Sequence, residues 1–446
     1  MKRFWLVLLS LGLIIAFSTS AMAVDVKVSG QFYTGGIYLD KTTLKKDTAT
    51  DGPSTALYFQ RLRVQTEFIV SPGLSLVTRF DAMERAWGAT RSTPGTTLDT
   101  QSQGTKAENE NIAFDLVYVS YNSPIGNFRV GYQPDSNWGL PFGNSPTSIG
   151  EIRYTTGLGP LTLLAYIAKT TERSSSAIAP SIYSDTDDDK WFLAGIYTWK
   201  GGRAGLGYQG QRAASARPAA TGFPTWPNLG IAHAFMPFIS AKLGPITVQS
   251  EVTYAFGNYK EENVAVAREV KLDNLSAILD VEADLGKFYA GGTVAYVSGD
   301  DPGTTDKLEG GLVTGGNDWN PCLIMWNYDR QYWAGSLVSY AATRGFTGSM
   351  ANAWFFQGRA GVRPTAGLNL GLAVAYATAD KKPSATWLYN NYGTEIDLTA
   401  TYKITNNLSY MLGFGYLMTG DYFKGTSDAN QVTNDYLVIN KLTLTF

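Results

Sequence analysis

The side chains that most often carry catalysis are scarce in this 446-residue chain. It has one histidine, His233, and one cysteine, Cys322. A single thiol cannot form an internal disulfide, a redox pair or a cysteine-rich zinc site. His233 has no serine or carboxylate partner at a motif spacing, and the sequence contains no phosphate-binding loop, dinucleotide fingerprint or HExxH motif. We therefore expect no enzymatic reaction, no cofactor and no metal centre.

Charged residues recur instead at every second position of short segments. In residues 274–285 the polar positions are Ser276, Asp280, Glu282 and Asp284, and the apolar positions are Leu275, Leu279, Val281 and Leu285. A period of two sends two such sets to opposite faces of a β-sheet. The same alternation recurs in residues 59–69, 74–82, 395–404 and 435–446. One face of the predicted sheet is therefore apolar, and the other is polar and charged.

Charges that face water in a wide lumen stay solvated, and their field can sort passing ions and dipolar solutes. Basic residues dominate the early segments and acidic residues dominate the later ones, so facing rows of opposite sign would create a transverse field. Local pairing along the wall is the alternative. The candidate pore-lining and constriction residues are Arg61, Arg63, Arg79, Asp81, Arg129, Asp135, Glu151, Arg153, Asp280 and Glu282.

Short turns alternate with long polar loops along the whole chain. The predicted tight turns are rich in Gly, Pro and Asn, which supply the backbone angles that hairpins need. They lie at 71–73, 123–126, 158–160, 200–202, 243–245, 285–287, 364–367 and 405–407. Two strands flank each turn and one more strand lies at each terminus, which predicts about 18 antiparallel strands, with a range of 16–18.

A soluble sandwich would show the same alternation, so other features must distinguish it from a membrane barrel. The apolar sets end in aromatic residues, as in membrane interfaces; these are Tyr58, Tyr118, Tyr154, Tyr208, Tyr254, Tyr296, Tyr376, Tyr402 and Tyr416. A sheet of this many strands must close or split. In hydrocarbon only a closed barrel pairs every strand backbone group. We predict an all-β transmembrane antiparallel barrel over residues 24–446, with short periplasmic turns and long extracellular loops; a secreted β-solenoid or sandwich is the alternative.

Residues 1–23 have the pattern of a cleaved signal peptide. Lys2 and Arg3 precede an apolar stretch, and Ala21-Met22-Ala23 forms a small-x-small cleavage site. An uncleaved anchor helix is the alternative. The chain carries 36 Lys and Arg against 38 Asp and Glu, with a pI of about 5.7. This balance excludes the basic face that a nucleic-acid-binding protein needs.

Three parts of the chain depart from the simple pattern. Residues 161–168, 191–198 and 234–241 are apolar at both parities, so either their registers are shifted or this wall packs against an infolded loop. Glu84 falls at the wrong parity for its strand. The long 300–351 loop contains an apolar run at 319–328, which would be an aggregation hazard if exposed. We expect that run to be buried among the loops, or else to form a specificity plug or a partner site.

The last strand, residues 435–446, has an apolar residue at every second position and ends in Phe446. It resembles the C-terminal signature of bacterial outer-membrane proteins. Together with the leader, the chain is similar to Gram-negative outer-membrane porins, of the deltaproteobacterial type. The resemblance implies location in the outer membrane, contact with its lipid, and assembly as a homotrimer. It also implies that the third long loop, residues 134–149, folds inward and narrows the pore; Asp135 is the only carboxylate of this loop, which argues against a strongly cation-selective eyelet.

The resulting hypothesis is a passive channel for small hydrophilic solutes and ions through a water-filled barrel. A substrate-specific outer-membrane channel is one alternative. The other is a non-conducting scaffold or adhesion barrel that holds a partner such as a cytochrome. The sequence gives no solute and no ion preference.

Overall fold

The computed structural model describes residues 24–46, 53–88, 112–135, 137–145, 147–172, 186–215, 229–260, 269–311, 316–340, 346 and 348–446. The predicted signal peptide lies outside the described residues, so its cleavage stays a prediction.

Eighteen long antiparallel strands form one closed ring. They are β1 (Asp25–Leu39), β2 (Thr55–Ser71), β3 (Leu74–Ala86), β4 (Ile112–Ser123), β5 (Gly126–Pro134), β6 (Ser148–Leu158), β7 (Leu161–Thr171), β8 (Asp188–Trp199), β9 (Gly202–Ala213), β10 (Leu229–Leu243), β11 (Ile246–Lys260), β12 (Glu269–Leu285), β13 (Phe288–Val297), β15 (Ala353–Thr365), β16 (Leu368–Ala379), β17 (Asn391–Lys403), β18 (Leu408–Thr419) and β19 (Asp435–Thr445). Each pairs with its neighbours along the chain, and β1 pairs with both β2 and β19, which closes the barrel. The two-residue strand β14 (Lys307–Leu308) pairs in parallel with Lys271 and Leu272, near the start of β12. The predicted fold class and strand number are confirmed.

All eight predicted tight turns join adjacent strands of the ring. Gly73 and Gly286 have φ angles of 82° and 80°, a region that is costly for residues with a Cβ atom. The short turns all lie at one end of the barrel, and the long loops lie at the other because successive strands are antiparallel.

The two faces of the wall follow the predicted parity. On β12, Leu279 and Val281 are 46% and 36% exposed on the outward face, whereas Ser276 and Asp280 point inward and are largely covered. The predicted outward tyrosines share the parity of these exposed apolar side chains, except Tyr118. The pairing of β3 with β4 shifts by one residue between Arg79 and Phe80. Residues 116–121 of β4 therefore have the opposite parity to residues 112–114, and Tyr118 faces inward.

A β-bulge in β3 explains the parity of Glu84. The pairing of β2 with β3 shifts between Gln60 and Leu62, and Met83 takes a left-handed φ of 53°. The extra residue turns Glu84 to the inward face, where its Oε1 lies 3.5 Å from Nη1 of Arg61. Bulges re-aim side chains in this way.

Within the described ranges, helical structure lies in the loops. The helix α1 (Tyr328–Ala334) belongs to the 300–351 loop, and 3-10 turns lie at Pro141–Gly143 and Asp421–Lys424. Among the described residues, no helix is both long and apolar enough to pass through a membrane.

Candidate functional site

The 134–149 loop packs against the inward face of the wall through Trp138. Its ring makes edge contacts with Phe192 of β8 at 5.3 Å and Phe238 of β10 at 5.1 Å. Its Nε1 donates to the carbonyl oxygen of Met236 at 2.8 Å. Tyr166 of β7 stacks on Phe192 and extends this buried cluster. Residues 161–168, 191–198 and 234–241, which are apolar at both parities, therefore pack against this loop. Their strand pairing shows no register shift.

A buried wall carboxylate anchors the tip of this loop. Glu251 of β11 is 2% exposed, and its Oε2 accepts the backbone N–H of Leu140. A Cβ atom at Gly139 would lie 2.4 Å from Oε2, and one at Gly143 would lie 2.4 Å from Oε1. The two glycines therefore let the loop backbone close around the carboxyl group of Glu251.

Asp135, one of the candidate pore-lining or constriction residues, lies at the base of the loop, directly after β5. It is buried, its two carboxylate oxygens lie 2.8 and 2.7 Å from Nζ of Lys190, and the hydroxyl of Tyr166 donates to it at 3.2 Å. Glu151, a second candidate, is 4% exposed and lies 2.6 Å from Nη2 of Arg153; a place for either residue along a solute path stays a prediction. The docked loop covers both carboxylates, because Asp135 directly follows β5 and Glu151 lies near the start of β6, the two strands that this loop connects.

Arg153 also contacts the loop. Its Nη2 donates to the carbonyl oxygen of Pro134 at 2.9 Å, and its guanidinium lies 5.2 Å from the ring centre of Tyr166. Arg153 therefore holds the base of the 134–149 loop, a role that alternation alone does not reveal.

The apolar run of the 300–351 loop is buried against the opposite side of the inner wall. Ile324 and Met325 are fully buried in a cluster with Phe355 of β15 and Leu417 of β18. Trp326 makes edge contacts with Phe355 at 5.8 Å. This burial removes the aggregation hazard that the sequence raises.

Two wall carboxylates of β17 bind the backbone of this run. Glu395 accepts the N–H groups of Ile324 at 2.6 Å and Met325 at 2.7 Å, and Asp397 accepts that of Leu323 at 3.2 Å. Both loops are therefore held in the same way, by a buried wall carboxylate that accepts backbone N–H groups. The alternating pattern identified these acids only as inward-facing, because the sequence does not show which loop reaches them.

The thiol of Cys322 lies near Glu395 and Asp397, and the possible ligand atoms of these three residues lie within 4.8 Å of one another. Burial raises the pKa of the Cys322 thiol well above its usual range, so the neutral thiol is the stable form at neutral pH. Metals take the thiolate. With both carboxylates already bonded to the loop backbone, this group works as an anchor for the loop.

Arg330 organises the interior of the same loop. It is 1% exposed, and its guanidinium donates to the carbonyl oxygens of Ile324 at 3.0 Å, Gly335 at 2.8 Å and Phe346 at 2.8 Å. Burial lowers its pKa to about 10, so it stays charged at neutral pH. The hydrogen bonds of one side chain thus join both ends of α1 to a more distant part of the loop.

The two docked loops touch each other inside the barrel. The rings of Phe142 and Trp319 meet edge to face at 5.1 Å. The N–H of Asp318 donates to the carbonyl oxygen of Asn144 at 3.1 Å, and the N–H of Asn317 donates to Oγ of Ser145 at 3.2 Å. The loops therefore form a bridge from the β7–β11 wall to the β15–β2 wall.

On one side of this bridge lie the predicted arginines of β2 and β3, each paired with a neighbouring acid. Nε and Nη2 of Arg63 bind the two oxygens of Asp81 at 2.7 and 2.6 Å. Nε of Arg79 lies 3.0 Å from both oxygens of Asp115 on β4. These side chains are 13–26% exposed. These arginines therefore pair locally along the wall, the arrangement given above as the alternative to facing rows of opposite sign.

Arg129 of β5 lies on the same side. Its Nε donates to Oδ1 of Asn127 at 3.2 Å, and its guanidinium lies 5.7 Å from the ring centre of Tyr118. The inward turn of Tyr118 thus gives Arg129 an aromatic neighbour.

On the other side of the bridge lies a cavity of about 270 Å³. Its wall includes Asp280, Thr293 and Arg359, and its loop side includes Phe142 and Trp319. Arg359 binds both oxygens of Asp280, at 2.7 and 2.8 Å, and Oε2 of Glu282 at 3.0 Å. The predicted acids Asp280 and Glu282 are therefore brought together by an arginine of β15, far away in sequence.

We expect Trp138→Ala to loosen the 134–149 loop while the barrel stays closed. Removing a buried Trp costs about 3 kcal/mol, which the docked state of the loop would lose. Limited proteolysis of the purified barrel should show new cleavage within residues 137–145, which the unmodified chain protects. The matched control is Trp199→Ala on the outward face; equal behaviour of the two variants would contradict the anchoring role of Trp138.

We expect Arg330→Met to open the 316–340 segment, because three carbonyl oxygens lose a charged donor, worth about 1.5–3 kcal/mol each. Limited proteolysis of the detergent-solubilised barrel should show new cleavage within 316–340. The exposed Lys382→Met serves as control, since it loses one hydrogen bond to the carbonyl oxygen of Leu388. A protease-resistant segment in Arg330→Met would show that the guanidinium is dispensable.

No family model and no curated protein matches the chain. Solved structures match it in fold over nearly the whole length. Pseudomonas aeruginosa OpdQ is 11% identical, with a TM-score of 0.52, and the alignment covers 95% of this chain and 98% of that one. A BenF-like porin from Pseudomonas fluorescens Pf-5 is 12% identical, with a TM-score of 0.51 and coverage of 95% and 99%. Pseudomonas aeruginosa OccK2 (OpdF) is 13% identical, with a TM-score of 0.52 and coverage of 95% and 98%. At these identities the likeness establishes a shared barrel fold.

Proposed function

We propose that the protein is an outer-membrane channel for passive diffusion of small hydrophilic solutes and ions. The observation that carries this proposal is the row of paired, partly exposed charges on β2–β4, which lies on the inward face beside the bridge of the two loops. A barrel of 16–18 strands leaves an aqueous lumen that wall side chains cannot fill. Charges on its wall keep part of their hydration and can act on solutes that pass.

The docked loops would set the size limit of this channel. They are fixed to the wall by Trp138 and Glu251 on one side and by Glu395 and Asp397 on the other. The narrowest passage would then run between the 316–340 segment and the arginines of β2 and β3. Burial raises the pKa of Asp318 at the edge of the bridge, and the charge of Arg63 opposes that rise, which supports placing this edge next to the arginines.

The charge balance of this passage supports weak ion selectivity. Arg61, Arg63 and Arg79 face three carboxylates, Asp81, Glu84 and Asp115, within paired networks. Paired charges of opposite sign largely cancel beyond a Debye length of about 10 Å. The channel would then filter mainly by size.

The exposed apolar outward face supports insertion in lipid, and the fold of the solved neighbours supports the outer membrane as its location. The homotrimer, the cleaved leader and the deltaproteobacterial resemblance stay predictions of the sequence. No reaction is part of the proposed function.

Reconstitution in planar bilayers tests the proposal. We expect steady ohmic conductance and a reversal potential near zero in a KCl gradient. Arg79→Gln leaves Asp115 without its closest partner, so the reversal potential should move toward cation preference. The matched variant Asp115→Asn should move it toward anion preference.

Two results would contradict the proposal. Conductance that is absent from a correctly folded barrel would favour a scaffold or adhesion role, above all if a partner such as a cytochrome co-purifies. Equal reversal potentials in both variants would show that the passage runs elsewhere in the barrel.

A further inference from the structure

The helix α1 carries aromatic side chains in the region that faces Arg61. Tyr332 is 50% exposed. The ring of Tyr328 lies 6.0 Å from it and that of Trp333 lies 5.0 Å from it. Trp333 in turn stacks on Phe59 of β2 at 4.7 Å. Residues four apart share one face of a helix, so Tyr328 and Tyr332 form a short aromatic surface that is fixed to the wall through Trp333.

Arg61 is the least engaged arginine beside this surface. Its Nη1 lies 3.5 Å from Glu84 and 4.0 Å from Asp81, whereas Arg63 and Arg79 each hold an acid at 3.0 Å or less. Among the described residues, its buried Nε has no hydrogen-bond partner. The guanidinium is held 4.8 Å from the ring centre of Tyr33. The buried Nε is out of reach of a solute, but the side chain is 20% exposed and holds its acids only at 3.5–4.0 Å, so the terminal N–H groups of Arg61 are the donors that a solute oxygen can use.

Glu84 supplies acceptors at the same place. The hydroxyl of Tyr332 lies beside the Glu84 carboxylate, and burial together with that carboxylate raises the pKa of Tyr332 to about 12. The phenol therefore stays protonated as a donor. The bulge at Met83 is what brings Glu84 to the inward face, so an irregularity of the strand completes this group of polar atoms.

A second ion pair borders the aromatic surface on its far side. Nζ of Lys441 on β19 lies 2.9 Å from Oδ2 of Asp329 and 4.3 Å from the ring centre of Tyr33. Two cations, Arg61 and Lys441, thus face two carboxylates, Glu84 and Asp329. Among the described residues, this group is neutral overall and presents donors beside acceptors.

This arrangement has the composition of a small-molecule site, an aromatic face with a few convergent polar groups. An anion would meet the carboxylates of Glu84 and Asp329 as well as the cations Arg61 and Lys441, so it gains no net attraction from this neutral group. An uncharged ring with hydroxyl groups on its edge can satisfy the cations and the carboxylates together, because each hydroxyl both donates and accepts. Its C–H face can rest on Tyr332 while neighbouring hydroxyls reach Arg61 and Glu84.

We propose that Tyr328, Tyr332, Arg61 and Glu84 form a binding subsite for an uncharged carbohydrate ring inside the channel. This inference rests on the proposed channel function and gives it a solute class. The subsite would hold a sugar briefly on its way through the narrowest passage.

Sucrose and maltose titrations of the ion current test the subsite in the full-length barrel. We expect a saturable decrease of the current in the unmodified chain. Tyr332→Ala should raise the half-blocking concentration by about tenfold, the factor that 1.4 kcal/mol of lost contact produces. Tyr389→Ala, in the 380–390 loop, is the matched control and should leave it unchanged. Glu84→Gln tests the polar half of the subsite and should also weaken the block.

Calorimetric titration of the same sugars into the detergent-solubilised barrel reads binding independently of conduction. Sugar binding that Tyr332→Ala weakens supports the subsite even for a barrel that fails to conduct, in which case the channel proposal alone is lost. Conductance without any sugar block or sugar binding overturns the subsite and leaves the channel intact. Block by benzoate in place of the sugars overturns the carbohydrate class, because it shows that the site prefers an anion.

Discussion

Every strand of this wall hydrogen-bonds to a neighbour on each side, and this closure governs the rest of the structure. An unpaired peptide group in hydrocarbon costs several kcal/mol, so an eighteen-stranded sheet can cross a membrane only as a ring. Once the ring is closed, the two-residue period of each strand divides the side chains into an apolar outer set and a polar inner set. The pairing of β1 with β19 is the contact that completes it.

Inside the ring, buried carboxylates hold the loops. Glu251 binds the backbone of the 134–149 loop, and Glu395 and Asp397 bind that of the 300–351 loop. Such carboxylates are costly to bury unless they are hydrogen-bonded, and the loops provide N–H donors to both oxygens of Glu395 and to one oxygen each of Glu251 and Asp397. Because wall carboxylates bind loop N–H groups, the loops dock in a defined position, and they touch each other through Phe142 and Trp319.

Much of the fold follows from sequence because it depends on local patterns. Turn residues and period-two alternation place the strands and the faces, and the strand number follows from counting turns. The contacts of the candidate site could not be predicted in this way, because they join residues that are far apart in the sequence. Asp135 is an isolated acid in a loop, and its sequence gives no sign of Lys190, 55 residues later. Glu84 departs from parity in the sequence, and only the bulge at Met83 explains why.

In the proposed channel, the inner face of the wall contacts water and the outer face contacts lipid. Single cysteines placed along β12 in a Cys322→Ser background test it most directly, by labelling the membrane-embedded barrel with a water-soluble thiol reagent. We expect labelling at positions 280 and 282 and protection at 279 and 281. Uniform labelling, or the opposite alternation, would contradict a lipid-embedded barrel with an aqueous interior.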